Sequence, residues 1–283
     1  MAWRRVCILG VGLLGGSIGM RLIRDRLAEE VVGFGRDQSK LDLAEELQAI
    51  HRGSRRIDEA AAGAELIVAC TPVQQIAESL CQAASHALPT AILTDVGSTK
   101  RTLVAQMLQS PFAERFVGSH PLAGSDKSGV ASASANLFDG KLCLITPQPV
   151  ETAVVEHVAG FWEALGMRVV RLTPEGHDEA MAATSHLPHV VASILAASTP
   201  PAMLKLVGTG WLDTTRIAGG APELWRQILE ENQAPALRAL KNFATISQEW
   251  IEALEAGDFA RVEQLLNAGK HIRDSVGNQH SSG

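Results

Sequence analysis

The sequence predicts an α/β protein in which a Rossmann-like dinucleotide-binding domain precedes an all-α domain. Three observations predict it: short apolar strands alternate with stretches of helical period as far as Arg171, a glycine turn closes the first strand, and strand signals stop after Pro174. The boundary is placed there, giving residues 1–172 to the first domain and 173–283 to the second.

The first strand, Val6 to Leu9, runs into Gly10-Val11-Gly12-Leu13-Leu14-Gly15 and then a helix, the context in which a glycine pattern signifies a dinucleotide site. Gly10 allows the tight turn, Gly12 lets the backbone approach a pyrophosphate, and Gly15 lets helix and strand pack closely. The helix start at Leu13 and Leu14 offers free N–H groups and a positive dipole end to the phosphates.

The second strand, Val31 to Phe34, ends where the two nicotinamide cofactors are told apart. An NAD site usually has a carboxylate there; placing that position on Gly35 leaves room for a 2′-phosphate, with Arg36 as a planar fork and Ser39 and Lys40 close by. NADP is therefore expected, with NAD the alternative, because a shift of register brings an acid, Asp37, to the ribose. Further strands are expected at Leu66 to Ala69, Ile92 to Asp95, Phe116 to Gly118, Cys143 to Thr146 and Arg168 to Arg171, with helices at Leu41 to Ile50 and Val73 to Ala84, so that βαβ units build a parallel sheet. Beyond Pro174, helices are expected over Glu175 to Ser198, Glu223 to Leu229, Ala234 to Ala256 and Phe259 to His271.

A composition of 46% hydrophobic and 20% charged residues, with a net charge of −6, suits a globular chain and offers no basic face to a nucleic acid. The apolar start is broken by glycines well short of the ~20 residues of a membrane span, so neither membrane nor secretion signal is expected. The four cysteines lack CxxC spacing and read as core residues of a reduced, cytoplasmic protein; no metal site is expected.

Candidate chemistry gathers on four polar residues. His120, in Gly118-Ser119-His120-Pro121, lies just past an expected strand, where a base belongs in such folds; a structural histidine is the alternative. Ser98, after the Ile92 to Asp95 strand, either bonds a nearby imidazole or caps a helix. His186 sits in a helix that Pro188 should kink, where it either lines a cavity or is a satisfied core histidine. Arg216 precedes a glycine turn, where it binds a carboxylate or else pairs with Asp213.

Together these stretches, with Cys70-Thr71-Pro72, Asn136-Leu137-Phe138 and Asp213-Thr214-Thr215-Arg216-Ile217-Ala218, resemble the prephenate and arogenate dehydrogenase family from Val6 to about Leu266. The resemblance implies a homodimer paired through the helical domain, and a small-molecule substrate, prephenate or arogenate, oxidised and decarboxylated in tyrosine biosynthesis. It implies roles as well. His120 accepts the proton of the ring hydroxyl, Ser98 bridges histidine, substrate and nicotinamide, and His186 is a second pocket histidine. Arg216 holds a substrate carboxylate, and Thr71 and Pro72 pack against the nicotinamide. Leu212 departs from relatives that carry a cation there. Asp126 either favours the ammonium group of arogenate or is a solvated loop acid. The length leaves no room for an appended regulatory domain, so any inhibition by tyrosine is expected at the active site. Competing readings are a β-hydroxyacid dehydrogenase or imine reductase, against which the lysine-free Glu175 to Ser198 stretch speaks, and a catalytically silent nicotinamide sensor.

Overall fold

The computed structural model describes residues 3–124 and 127–280. Strands β1 (Trp3–Leu9), β2 (Ala28–Phe34), β3 (Arg52–Ser54), β4 (Leu66–Ala69) and β5 (Ile92–Asp95) form a parallel sheet in the order β3-β2-β1-β4-β5. The helices between them are α1 (Leu13–Arg24), α2 (Gln38–Glu46), α3 (Ile57–Ala61) and α4 (Val73–Ala84), with α5 (Arg101–Leu108) after β5. Alternation along the strands explains why both faces need cover. Val6, Ile8, Leu66 and Val68 enter one apolar cluster, whereas Cys7, Leu9, Ile67 and Ala69 enter the other. All eight are fully buried, and a buried aliphatic side chain of this size contributes about 1.5–3 kcal/mol.

The register brings the carboxyl ends of four strands level: Leu9 pairs with both Phe34 and Ala69, and Ala69 with Asp95. The loops that begin at Gly10, Gly35, Cys70 and Val96 thus share one edge, at the reversal of strand order between β1 and β4, where such sheets bind ligands.

The Phe116 to Gly118 expectation needs correction. Only an isolated bridge, Leu93 to Phe116, continues the parallel sheet. The strand proper, β6 (Gly118–Pro121), runs antiparallel to β7 (Leu142–Thr146), which pairs in parallel with β8 (Arg168–Arg171) in a separate three-stranded sheet, and α6 (Thr152–Ala164) joins β7 to β8. Gly-Ser-His-Pro has poor strand propensity, but pairing with β7 overrides it. His120 therefore stands on a strand, opposite Leu144, rather than in a loop after one.

Helices follow: α7 (Pro174–Met181), α8 (Leu187–Ser198), α9 (Thr209–Thr215), α10 (Pro222–Glu231), α11 (Gln233–Glu255) and α12 (Phe259–His280). Between α7 and α8 the chain makes a π turn, Ala182–His186, and Pro188 lies in the first turn of α8, where its missing N–H costs least. The expected kink is thus a widened turn ahead of the proline. The stretch Pro174–Ser198 has the length and mean hydropathy, 1.3, of a membrane span, yet it carries the buried polar residues His177, Asp178, His186 and His189. By contact density the chain forms two compact units, residues 1–233 and 234–283.

Candidate active site

The three glycines of the turn differ in what surrounds them. Gly10 adopts φ +94°, and a Cβ there would stand 2.9 Å from the Cys70 carbonyl oxygen. At Gly15 a Cβ would come within 2.2 Å of the Gly10 carbonyl oxygen, so only glycine lets α1 start this close to β1. At Gly12, by contrast, a Cβ would meet no protein atom within 4 Å. That open space faces the start of α1, whose first internal bond is Gly16 N–H to the Gly12 carbonyl, 2.8 Å, leaving the N–H groups of Leu13, Leu14 and Gly15 without intrahelical acceptors. A pyrophosphate fits this cradle by charge and by room.

A cleft of about 800 Å³ continues from Gly10 and Gly12 past Gly35, Arg36, Asp37 and Lys40 on one side and Thr71 and Pro72 on the other. Gly35 directly follows the last residue of β2, as expected. Asp37 caps α2: its Oδ1 accepts from Ser39 N (3.0 Å) and Ser39 Oγ (2.7 Å), which hold its carboxyl below the usual range. Ser39 therefore spends its hydroxyl on Asp37 and does not line the cleft, while Arg36 and Lys40 do. His120, Ser98, His186 and Arg216 lie outside this cleft's lining, and Asp126 lies outside the described residues.

Beyond β5 the polar residues are built around a fully buried ion pair. Lys100 Nζ donates to Asp95 Oδ2 (2.7 Å), the Gly97 carbonyl (2.8 Å) and the Thr99 carbonyl (3.0 Å), so all three ammonium protons are satisfied. Asp95 also accepts from Gly97 N (2.7 Å) and Ser119 N (2.9 Å). One carboxylate thereby ties the loop that carries Ser98 to the strand that carries His120. Ser98 is half-buried and does not cap α5, whose N-cap is Lys100. Instead Asp178 closes that helix end from α7, accepting from Lys100 N (2.8 Å) and Arg101 N (3.0 Å).

Four histidines converge here. His120 keeps partial solvent access, and its Nδ1 lies 2.9 Å from His177 Nε2. His177 Nδ1 lies 2.8 Å from Asp178 Oδ1. Desolvation first, with the Lys100 cation adding to it, holds the His120 pKa well below the ordinary imidazole value, so the ring is neutral near pH 7. His186 is buried, with Nδ1 3.1 Å from Asn232 Nδ2, and its ring edge meets Trp225; burial lowers its pKa to about 4. Asn232 Nδ2 also donates to the Asp178 carbonyl (2.7 Å), linking His186 to the His177–Asp178 pair. His189 stacks on Trp225 at 3.6 Å, and its Nδ1 is buried without a partner among the described residues. The turn Arg216–Gly219 packs against α8 beside His189; Arg216 itself is exposed and makes no ion pair with Asp213 among the described residues.

The chain thus combines a glycine turn with room for a pyrophosphate and, on a separate strand, a half-buried imidazole joined to a cluster of histidines. The family model for the prephenate dehydrogenase nucleotide-binding domain matches residues 18–171, and that for the prephenate dehydrogenase dimerization domain matches residues 173–268. The chain belongs to the prephenate dehydrogenase family. It is 31% identical over 282 residues to prephenate dehydrogenase of Bacillus subtilis, spanning 96% of this chain and 76% of that protein. Among solved structures, prephenate dehydrogenase from Aquifex aeolicus in complex with hydroxyphenyl propionate and NAD+ superposes with a TM-score of 0.89 at 29% identity, covering 98% of this chain and 99% of that one. Synechocystis arogenate dehydrogenase superposes with a TM-score of 0.83 at 29% identity, covering 96% and 99%.

Membership of the prephenate dehydrogenase family, with its nucleotide-binding domain, supports a nicotinamide cofactor. Sequence reasoning reached His120 and His186 but passed over His177, Asp178, Asn232, Trp225 and His189. For the first two a signal existed: a His-Asp pair at the head of an otherwise apolar helix. Trp225 and Asn232, on the short amphipathic α10 and just after it, carry no such mark.

Proposed function

We propose that this chain catalyses the oxidative decarboxylation of prephenate to 4-hydroxyphenylpyruvate, with arogenate, which gives tyrosine, as the alternative substrate and NADP as the preferred acceptor. The observation that carries the proposal is the half-buried His120 imidazole, on a strand tied through Ser119 N to the same buried Asp95 that anchors the Ser98 loop. His120 takes the proton of the ring hydroxyl, and Ser98 orients that hydroxyl. Arg216, exposed and unpaired with Asp213, binds a substrate carboxylate through its planar fork. An oxidised nicotinamide, whose pyrophosphate Gly10, Gly12 and the start of α1 would hold, would supply the acceptor for the hydride of the hydroxyl-bearing carbon, while the ring carboxylate departs as carbon dioxide. A base that is neutral at physiological pH suits this step, and fixed positions for base and carboxylate supply orientation.

The NADP preference rests on Gly35, which leaves room beyond β2, and on Arg36 and Lys40 along the cleft, while Asp37 is engaged at the start of α2. A homodimer formed through the residue 173–283 domain and a cytoplasmic location complete the proposal. Initial rates for both substrates with both cofactors test it: turnover with neither substrate refutes the activity, and equal kcat/KM for NAD and NADP refutes the preference. Replacing His120 by Asn should abolish turnover while sparing dinucleotide binding; full activity in H120N would remove His120 as the base.

A further inference from the structure

We propose that His177 and Asp178 are positioning residues that lock His120 in the tautomer bearing its proton on Nδ1, so that bare Nε2 is the atom that receives the substrate proton. The proposal rests on the function proposed above and deepens it.

The argument is one of donor and acceptor bookkeeping along a chain of three side chains. Asp178 accepts from Lys100 N and Arg101 N at 2.8 and 3.0 Å at the N-terminal end of α5, an arrangement that keeps it ionised and leaves it no proton to give. His177 Nδ1, 2.8 Å away, must then be the donor of that pair. A neutral imidazole carries one N–H, so His177 Nε2 is bare and can only accept. Its 2.9 Å contact with His120 Nδ1 is consequently donated by His120, whose single proton is thereby committed and whose Nε2 lone pair is left for chemistry. The argument turns on a neutral His177. Full burial, reinforced by Lys100, outweighs the pull of Asp178 and Asp95 and lowers its pKa.

The same chain stabilises what His120 becomes. When Nε2 takes the hydroxyl proton, the positive charge spreads towards the His177 lone pair and meets the Asp178 carboxylate beyond it, with no proton reaching Asp178. The other groups around His120 are the Lys100–Asp95 ion pair, whose charges cancel, the Cys143 thiol on β7 beside the His120 backbone N–H, and His186, so Asp178 is the carboxylate left to answer the charge. Asp178 is also immobilised through its carbonyl by Asn232, so the relay is anchored on α5, α7 and the end of α10.

The test begins without substrate, so that its failure is distinct from failure of the assigned activity. In ¹⁵N-histidine-labelled protein at pH 7, side-chain spectra should show His120 and His177 both protonated at Nδ1. In Asp178→Asn the His120 proton should move at least partly to Nε2, and kcat should fall by about 10²–10⁴-fold while dinucleotide affinity changes less than about threefold. Because Asp178 also caps α5, His177→Gln serves as the second variant. Its amide oxygen can still accept from His120 Nδ1 but cannot share the charge, so the tautomer persists while the acid limb of kcat/KM moves to lower pH by about half a unit or more. A wild-type His120 protonated on Nε2 overturns the proposal, as does an unmoved pH profile in His177→Gln. The expected tautomers with no turnover on either substrate instead indict the assigned activity.

Discussion

Replacing Lys100 by Met probes the support beneath the active site. Lys100 is fully buried, its stem passes 3.1 Å from where a Cβ on Gly118 would lie, and its ammonium makes three bonds, one of them to the fully buried Asp95. Met fills nearly the same volume, so the loss is electrostatic. Removing one partner of a buried pair typically costs 3–5 kcal/mol because a charge is stranded, and here about 3 kcal/mol is the better figure, since Asp95 retains Gly97 N and Ser119 N. For a unit of 233 residues, at roughly 2.1 cal/mol/K of unfolding entropy per residue, that lowers Tm by about 6 °C. Urea unfolding and calorimetry measure both quantities. In a cycle with Asp95→Asn the coupling should be about 2–3 kcal/mol, because the double variant strands no charge. A loss under about 1 kcal/mol in K100M, or no coupling, refutes the view that this pair holds the Ser98 loop and β6 together.

Two glycine replacements separate ligand space from protein space: Gly12→Ala should weaken dinucleotide binding about tenfold or more with Tm nearly unchanged, whereas Gly15→Ala should destabilise the fold outright, because its Cβ would stand 2.2 Å from the Gly10 carbonyl oxygen. Tryptophan fluorescence titration and thermal melts read the difference, and equal Tm losses would contradict the assigned roles. The pH dependence of stability follows from His120, His177, His186 and His189, whose folded-state pKa values are all depressed. Between the unfolded value near 6.5 and about 4 for His186, the unfolded chain binds more protons than the folded one, so stability is full above pH ~6.5 and is lost as pH falls through that window, at up to ~1.4 kcal/mol per pH unit for each histidine. Urea midpoints at pH 7.0 and 5.0 should differ accordingly; identical midpoints would mean that these rings are not held neutral. Arg216→Gln should lower kcat/KM by roughly 10–150-fold, the worth of a charged hydrogen bond of about 1.5–3 kcal/mol, with Tm unchanged because the side chain is exposed.

Much of the nucleotide half was legible in the chain. Strands β4, β5 and β8 span the residues expected of them, each built around an apolar run or pair, and α4 spans the stretch its period indicates, because strands and amphipathic helices leave local marks. The strand carrying His120 left none. Its four residues suit a turn, and only hydrogen bonds to β7, more than twenty positions later, make them a strand. β3 was missed for a similar reason: three residues, one a glycine, take strand geometry only by pairing with β2.

Sequence alone determined the fold class and the form of the glycine turn, since each rests on residue types and spacings within a short stretch, and its resemblance to the prephenate and arogenate dehydrogenases nominated His120 and Arg216. Tertiary structure decided what those groups can do. The charge state and tautomer of an imidazole depend on which donors and acceptors reach it and on how much water is excluded, and for His120 these come from Lys100, Asp178, His177 and His186, brought together from as far as 66 positions along the chain. Such partners are set by packing, which the chain encodes as a whole and no local pattern displays.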